Sequence, residues 1–128
     1  MTELELQAQV ADYLRLQYPD VLFHSDFGSG IKLTKGQAVK QKRLQGGRRA
    51  WPDMFIAYVR SKGDKYYHGL FLELKKAGTR LFKKNGDFTS EHIREQWETL
   101  GALTLRGYMA EFAVGFDEAK KLIDEYLK

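Results

Sequence analysis

The chain has 128 residues, of which 43% are hydrophobic and 30% are charged, with a formal net charge of +4. These values are typical of one globular domain with its own core, and we expect a single domain over residues 1–128. The absence of cysteine excludes disulfides, thiolate zinc sites and a cysteine nucleophile. No apolar run is long enough to span a membrane, and MTELELQAQV lacks the pattern of a signal peptide, so we expect a cytoplasmic protein without a membrane partner.

The first half of the chain is predicted to hold one helix, one strand and a long irregular segment. Apolar residues recur at helical spacing over Glu3–Leu16, and Thr2 can serve as the N-cap. Val21–Ser25 reads as a short strand. The irregular segment covers residues 26–51, with a helical turn or two around Gln37–Leu44. A segment this long inside a domain usually has a functional role or is disordered.

The second half alternates strands and helices. Met54–Val59 and Tyr67–Lys75 are β-prone runs on either side of a turn, which predicts a hairpin. After it we expect a helix from the Ser90 N-cap to about Arg106, a strand over Tyr108–Val114, and a last helix capped by Asp117. This order predicts an α/β fold with a mixed sheet flanked by helices.

Basic residues are concentrated in the irregular segment. Residues 27–52 contain no acidic residue and seven basic ones, which are Lys32, Lys35, Lys40, Lys42, Arg43, Arg48 and Arg49. A second stretch without acids, residues 74–86, contains Lys75, Lys76, Arg80, Lys83 and Lys84. Such patches are typical of proteins that bind polyanions, because each neutralised phosphate releases counterions. The alternative is a solvated surface without a ligand.

Carboxylates at the predicted hairpin suggest a metal site. Side chains alternate along LFLELK, so Glu73 and Lys75 share the face opposite the leucines and lie about 7 Å apart along the strand. Asp53 begins the neighbouring strand, and the hairpin would bring it to Glu73. Two carboxylates, with the main-chain carbonyl of Leu74, suit Mg²⁺. Lys75 would position or deprotonate the attacking water, or stabilise charge on a phosphate. The alternative is a solvated strand face beside a turn residue.

The combination of these motifs resembles a known family. "PD" at 52–53 and "ELK" at 73–75 resemble the PD-(D/E)xK nuclease superfamily. The longer pattern GRRAWPDMFI, GLFLELKKAG, a glutamine in the next helix, LGALTLRGY and FDEAKKLIDEYL resembles the VRR-NUC domain, particularly its stand-alone viral and bacterial members. The resemblance extends over nearly the whole chain.

The resemblance implies a restriction-endonuclease-like core, α-β-β-β-α-β, and metal-dependent cleavage of phosphodiester bonds. Asp53 and Glu73 match the metal-binding acids of the family, and Lys75 matches its catalytic lysine. Gln96 matches the helix glutamine, which organises the site or contacts phosphate. A Gln-x-x-x-Tyr form of that helix motif is absent, because Leu100 stands at the fourth position after Gln96.

The family often has a further acid on its first helix. Spacing favours Glu3 as this metal ligand, with Glu5 as a rival, and Gln7 lies one turn after Glu3 on the same face. Arg48 and Arg49 precede the first metal-binding acid and would hold the phosphate backbone.

The predicted function is a Mg²⁺-dependent DNA endonuclease, with Mn²⁺ as a substitute. The resemblance to junction-resolving members implies a homodimer that prefers branched DNA. The rivals are a non-catalytic nucleic-acid-binding module that kept the fold, and an enzyme that acts on RNA.

The three histidines and Trp97 are interpreted as structural residues without a catalytic or binding role. His24, His68 and His92 show no metal-ligand spacing and are expected to be ordinary strand or helix residues. Trp97 is interpreted as a core residue of its helix.

Overall fold

The computed structural model describes residues 1–26, 32–48 and 50–128. Its elements in chain order are α1 (Glu3–Gln17), β1 (Leu22–Ser25), α2 (Lys35–Leu44), β2 (Met54–Ala57), β3 (Arg60–Lys62), β4 (Lys65–Tyr67), β5 (Leu70–Lys75), α3 (Glu91–Leu105), β6 (Met109–Val114) and α4 (Phe116–Leu127). None of these helices is both long enough and apolar enough to cross a membrane in the part of the chain that is described.

Four strands form one mixed sheet in the order β1-β2-β5-β6. β1 pairs antiparallel with β2, and β2 pairs antiparallel with β5. β5 and β6 are parallel, so α3 is the crossover between them. Taken with α1, these elements give the predicted α-β-β-β-α-β core. The α/β, restriction-endonuclease-like fold class is therefore confirmed.

One face of the sheet carries the main hydrophobic core. Leu70, Leu72 and Leu74 alternate along β5 and are almost completely buried on this face. α1 and α4 cover them, contributing Leu6, Val10, Leu14, Ala119, Ile123 and Tyr126 to the core. The amphipathic spacing in α1 thus places that helix against the apolar face, as predicted.

The opposite face of the sheet is covered by α3. Leu100 and Leu103 of this helix pack with Ala110 of β6, and Phe71 lies against the same cluster. Glu73 and Lys75 share this face with Phe71 because they alternate with the leucines. α3 therefore packs mainly on β6 and reaches the polar part of β5 through Gln96.

The predicted hairpin is correct in its pairing and different at its tip. Met54 pairs with Leu72 and Ile56 with Leu70, as the hairpin requires. The strands stop earlier than predicted, because the chain between them forms a separate two-stranded ribbon, β3-β4. The tip therefore extends beyond the sheet instead of lengthening it.

The predicted cap of the last helix is wrong. Thr2 and Ser90 cap α1 and α3 as expected. The N-cap of α4 is Gly115 instead of Asp117, with a φ of 85° and no side-chain cap hydrogen bond. The tight turn out of β6 requires this positive φ, which glycine adopts without strain. Asp117 therefore lies inside the first turn, where its charge favours the helix dipole.

Candidate active site

Asp53 and Glu73 meet at the end of the β2-β5 pair. The register pairs Met54 with Leu72, and one further step sets Asp53 opposite Glu73. Their relative exposures are 8% and 3%. Burial, together with a hydrogen bond and charge repulsion from Asp53, raises the pKa of Glu73 well above its ordinary value. The alternative of a solvated strand face is therefore wrong for Glu73, since the folded protein removes this carboxyl group from water.

A chain of hydrogen bonds fixes Asp53. Its Oδ2 accepts the main-chain N–H of Leu74 at 2.7 Å. Its own carbonyl accepts the N–H of Asp26 at 2.8 Å. Gln7 on α1 donates to the carbonyl of Asp26 at 2.8 Å and to Ser25 Oγ at 2.6 Å. The first helix therefore positions the end of β1, which in turn positions Asp53.

Gln96 joins α3 to the acidic pair. Gln96 is 6% exposed, and its Nε2 donates to Glu73 Oε1 at 2.5 Å. The same Nε2 lies 3.2 Å from His92 Nε2, one turn earlier on α3. Its Oε1 is buried without a hydrogen-bond partner among the described residues. A buried oxygen in this state is costly to folding unless a ligand or water satisfies it.

His92 is a site neighbour that sequence reasoning missed. The histidine was interpreted as an ordinary helix residue, because it has no ligand spacing to the other histidines. The i, i+4 spacing to Gln96 was the available signal, since residues four apart share a helix face. When His92 Nε2 accepts a hydrogen bond from the amide, both N–H groups of the Gln96 side chain are engaged, one by Glu73 and one by His92.

Lys75 is buried beside the acids. The lysine is 5% exposed, and its charge lowers the pKa of Glu73 against the larger upward effect of burial. The ion pairs within 4 Å found among the described residues do not include Lys75. Its ammonium group thus acts on the acidic corner without a close pairing to Glu73. Leu74, which lies between Glu73 and Lys75, donates its main-chain N–H to Asp53 Oδ2.

The three candidate residues on the first helix differ in their exposure and in their contacts. Glu3 is half-buried and its charge raises the pKa of Glu73, which places it near the corner. Glu5 is exposed, and its N–H bonds to the Thr2 cap. Gln7 is buried and engaged with the end of β1. Within residues 1–26, 32–48 and 50–128, no three His, Cys, Asp or Glu groups gather closely enough to hold a metal.

The donor set at this corner nevertheless fits a hard cation. Magnesium keeps several waters and is commonly held by only one or two carboxylates. Asp53 and Glu73 provide two carboxylates, and the unpartnered Gln96 Oε1 provides a buried neutral oxygen. A cation would also favour the charged form of Glu73, against the burial and the repulsion from Asp53 that raise its pKa.

The predicted DNA-binding residues lie on and after α2. Lys40, Lys42 and Arg43 are exposed on this helix, which contributes no buried residue. A capping box between Thr34 and Gln37 fixes its first turn. The helix is thus held by local interactions, and its basic side chains remain in solvent.

Arg48 connects this basic region to the helix above the site. Its Nη1 donates to Thr99 Oγ1 at 3.1 Å. Thr99 lies three residues after Gln96, so both are on nearly the same face of α3. Arg48, Lys42 and Thr99 line a surface pocket of about 290 Å³. Arg49 lies outside the described residues.

Comparisons with known proteins agree with this architecture. The fold matches a solved structure described as a "VRR_NUC domain protein", with a TM-score of 0.68 and 26% sequence identity over 99% of this chain and 88% of that chain. No protein-family model matches the chain. No curated protein sequence matches it either.

The mixed sheet, the crossover helix and the acidic corner define a nuclease fold of the restriction-endonuclease-like class. The structural match extends over the chain almost from end to end. Within that class, the fold is similar to that of the solved VRR_NUC domain protein. The resemblance seen in the sequence is thereby confirmed.

Proposed function

We propose that this protein is a metal-dependent DNA endonuclease, with Asp53, Glu73 and Lys75 as its catalytic residues. The observation that carries the proposal is the burial of both acids and the lysine in one corner of a VRR-NUC fold. Buried charges without a ligand reduce stability, so their concentration at one strand end supports a catalytic role.

Asp53 and Glu73 would hold the cation, and Gln96 Oε1 would face it or its water shell. Glu3 is the first-helix residue that we favour as a further contact, because its charge acts on Glu73. The main-chain carbonyl of Leu74 remains a proposed ligand from the same strand. When bound, Mg²⁺ would polarise the phosphate and lower the pKa of a water molecule, and Mn²⁺ would substitute.

Protein side chains would perform the other steps of phosphodiester cleavage. Lys75 would orient the attacking water or stabilise the negative charge that develops on the phosphate. Gln96, held by Glu73 and His92, would keep the corner in one geometry. Attack on phosphorus would be direct, without a covalent enzyme intermediate.

Basic residues would hold the substrate. Lys40, Lys42, Arg43, Arg48 and Arg49 are proposed to contact phosphates of DNA, without reading bases. Changing Lys40, Lys42 and Arg43 together to glutamate is expected to weaken binding to all duplex sequences alike. A loss confined to one DNA sequence would instead show that this region reads bases.

The non-catalytic binding module remains the second candidate. The exposed basic surface would serve it equally well, but burial of Lys75 next to two acids has no function in binding alone. Linear, flapped and four-way-junction DNA should therefore be incubated with the protein in Mg²⁺, Mn²⁺, Ca²⁺ or EDTA. Cleavage in Mg²⁺ and Mn²⁺, abolished in EDTA, is expected. Binding without cleavage under every metal condition would favour the module.

We further propose that the enzyme is a homodimer in the cytoplasm and prefers branched DNA. Two-fold symmetry would place two corners on opposite strands of a junction. Light scattering at micromolar concentration and mapping of paired cuts on a four-way junction test this together. A monomer that makes single, unpaired nicks would refute the dimer and leave the metal site unaffected.

A further inference from the structure

The segment between β5 and α3, residues 76–89, is longer than a connection requires. Fifteen residues separate Lys75 from Glu91, whereas a strand-to-helix connection usually takes about two to six residues. Ordering each additional residue costs about 1–2 kcal/mol of conformational entropy. We refer to residues 76–89 as the 76–89 loop.

The 76–89 loop has a defined conformation. Phe82 and Phe88 form an antiparallel bridge, and the N–H of Thr89 donates to the carbonyl of Leu81 at 3.0 Å. The turn at the tip is closed by the N–H of Lys83, which donates to the carbonyl of Asp87 at 2.7 Å. Asn85 caps this turn by accepting the N–H of Asp87 at 3.0 Å. The loop is therefore a small hairpin.

Aromatic rings anchor this hairpin to α3. Ring centroids of Phe82 and Phe88 lie 5.7 Å and 5.9 Å from that of Trp97. Trp97 stacks in turn on Phe112 of β6, at 6.3 Å. Trp97 is 49% exposed, so its interpretation as an ordinary core residue is incomplete. Part of its ring packs against Phe82 and Phe88 of the loop, and the rest remains exposed to solvent.

The charge of the 76–89 loop is strongly basic. It contains four basic residues and a single acid, Asp87, whose side chain is engaged with Asn85 in the turn. Arg80, Lys83 and Lys84 are exposed. The ion pairs found in the described part of the chain include none of them. Three cations are thus presented to solvent on an anchored support.

Both ends of the loop are attached to the candidate active site. The loop leaves β5 directly after Lys75, two residues beyond Glu73. It returns at Ser90, the N-cap of α3, whose next turns carry His92 and Gln96. Both ends of the loop therefore lie within a few residues of the acidic corner, and Lys83 at its tip lines a surface pocket with Ser90 and Arg94 at the start of α3.

We propose that the 76–89 loop is a second phosphate-binding element, which contacts the DNA backbone beside the acidic corner through Arg80, Lys83 and Lys84. The proposal rests on the function proposed above for its ligand, DNA. Charge, an anchored conformation and attachment to the corner all favour a polyanion over an apolar partner. The aromatic anchor keeps the three cations in place before DNA arrives, which lowers the ordering cost of binding.

The test is a triple substitution, Arg80→Gln, Lys83→Gln and Lys84→Gln. Binding to a labelled 25-base-pair duplex is measured by anisotropy in EDTA over a range of KCl concentrations. If the three residues each contact a phosphate, the slope of log affinity against log salt decreases by about 2.7 units. At about 0.1 M salt, the affinity is expected to fall by roughly 10- to 100-fold.

A matched control removes the same number of charges elsewhere. Three exposed lysines serve this purpose: Lys65 on the ribbon, Lys121 on α4 and Lys128 at the end of α4. α4 packs on the opposite face of the sheet from α3. The triple change of these lysines to glutamine gives the same net charge. Its salt slope should stay within about one unit of the wild type. Equal losses in the two triple variants would overturn the proposal in favour of a general charge effect.

A second variant tests the anchor without changing charge. Phe82→Ala removes a ring that is 39% exposed at the edge of the aromatic cluster. Trypsin should then cut faster after Lys83 and Lys84, and DNA affinity should fall by about threefold to tenfold. Unchanged affinity, in a variant whose thermal unfolding matches the wild type, would refute the role of the anchor.

The failure of this inference is distinguishable from failure of the nuclease proposal. A wild-type protein that binds and cuts DNA, together with a loop variant that binds equally well, overturns the inference alone. Binding that depends on the loop without any cleavage supports the inference and overturns the nuclease. A wild-type protein that does not bind DNA overturns both.

Discussion

The two faces of β5 are buried to almost the same extent by opposite kinds of side chain. Leu72 and Leu74 are 0% and 1% exposed on the face that α1 and α4 cover. Glu73 and Lys75 are 3% and 5% exposed on the other face, under α3. One strand therefore carries an apolar core and an acidic corner on either side of the same backbone.

The difference between these faces lies in what burial does to the free energy of unfolding. Removing a leucine from water stabilises the fold by about 1.5–3 kcal/mol. Removing a charged group from water opposes folding unless a partner compensates. Burial raises the pKa of Glu73 more than the charge of Lys75 lowers it, so the lysine offsets only part of this cost. Burial of the leucine face thus raises the free energy of unfolding, and burial of the polar face lowers it.

The largest effect is expected from the acids of the polar face. Glu73→Gln or Asp53→Asn should reduce DNA cleavage by about 10³-fold or more, because several kcal/mol of charge stabilisation depend on the cation that they hold. Glu111 is an exposed residue of β6, and its change to glutamine is the matched control. The Glu111→Gln variant should cleave DNA at the wild-type rate. A wild-type rate in either acid variant would contradict the metal assignment.

The alanine forms of these acids should differ in stability. Asp53→Ala leaves the N–H of Leu74 without its acceptor, at a cost of about 1–3 kcal/mol. Glu73→Ala removes the carboxyl group whose ionisation is disfavoured in the fold, so its free energy of unfolding should be higher than that of Asp53→Ala. Urea unfolding of both variants in EDTA makes the comparison.

Lys75→Ala should have the next largest effect. We expect a rate loss of about 10²- to 10³-fold, because Lys75 acts on water or phosphate. Metal affinity measured by calorimetry should be retained. Lys121→Ala, on an exposed lysine of α4, serves as the control. Retained activity together with lost metal affinity would show that Lys75 supports the cation instead.

Leu72→Ala tests the apolar face. The substitution should lower the free energy of unfolding by about 2–5 kcal/mol, since it opens a cavity in the packed core. Cleavage per folded molecule should change little, because the side chain points away from the acids. Urea unfolding and cleavage assays at a temperature where the variant is folded separate the two properties. A loss of activity as large as that of Glu73→Gln would show that the faces are not independent.

The smallest effect is a pH dependence of the metal-free protein. Because the folded pKa of Glu73 is raised, its contribution to stability is fully present below the ordinary carboxyl pKa and is lost as pH rises through the folded value. In EDTA, the wild type should therefore lose stability over this window relative to Glu73→Gln. Parallel stability curves for the two proteins would contradict the raised pKa.

Much of the local structure follows from the sequence. The caps at Thr2 and Ser90 were predictable because N-cap side chains bond to N–H groups only a few residues away. The alternation in LFLELK placed the leucines on one face and Glu73 with Lys75 on the other. The hairpin hypothesis brought Asp53 to Glu73, and the register bears out that proximity. The resemblance to the VRR-NUC domain supplied the topology.

Tertiary structure decided which of these side chains lose contact with water and which neighbours they meet. Burial of Lys75, the contact of His92 with Gln96, and the packing of Phe82 on Trp97 all join residues whose environment depends on how α3 lies across the sheet. The helix face of Gln7 made it a possible site residue, and the fold also engages its side chain with Ser25 and Asp26. Local patterns determine hydrogen bonds over one or two turns, whereas desolvation depends on every element that packs around a group.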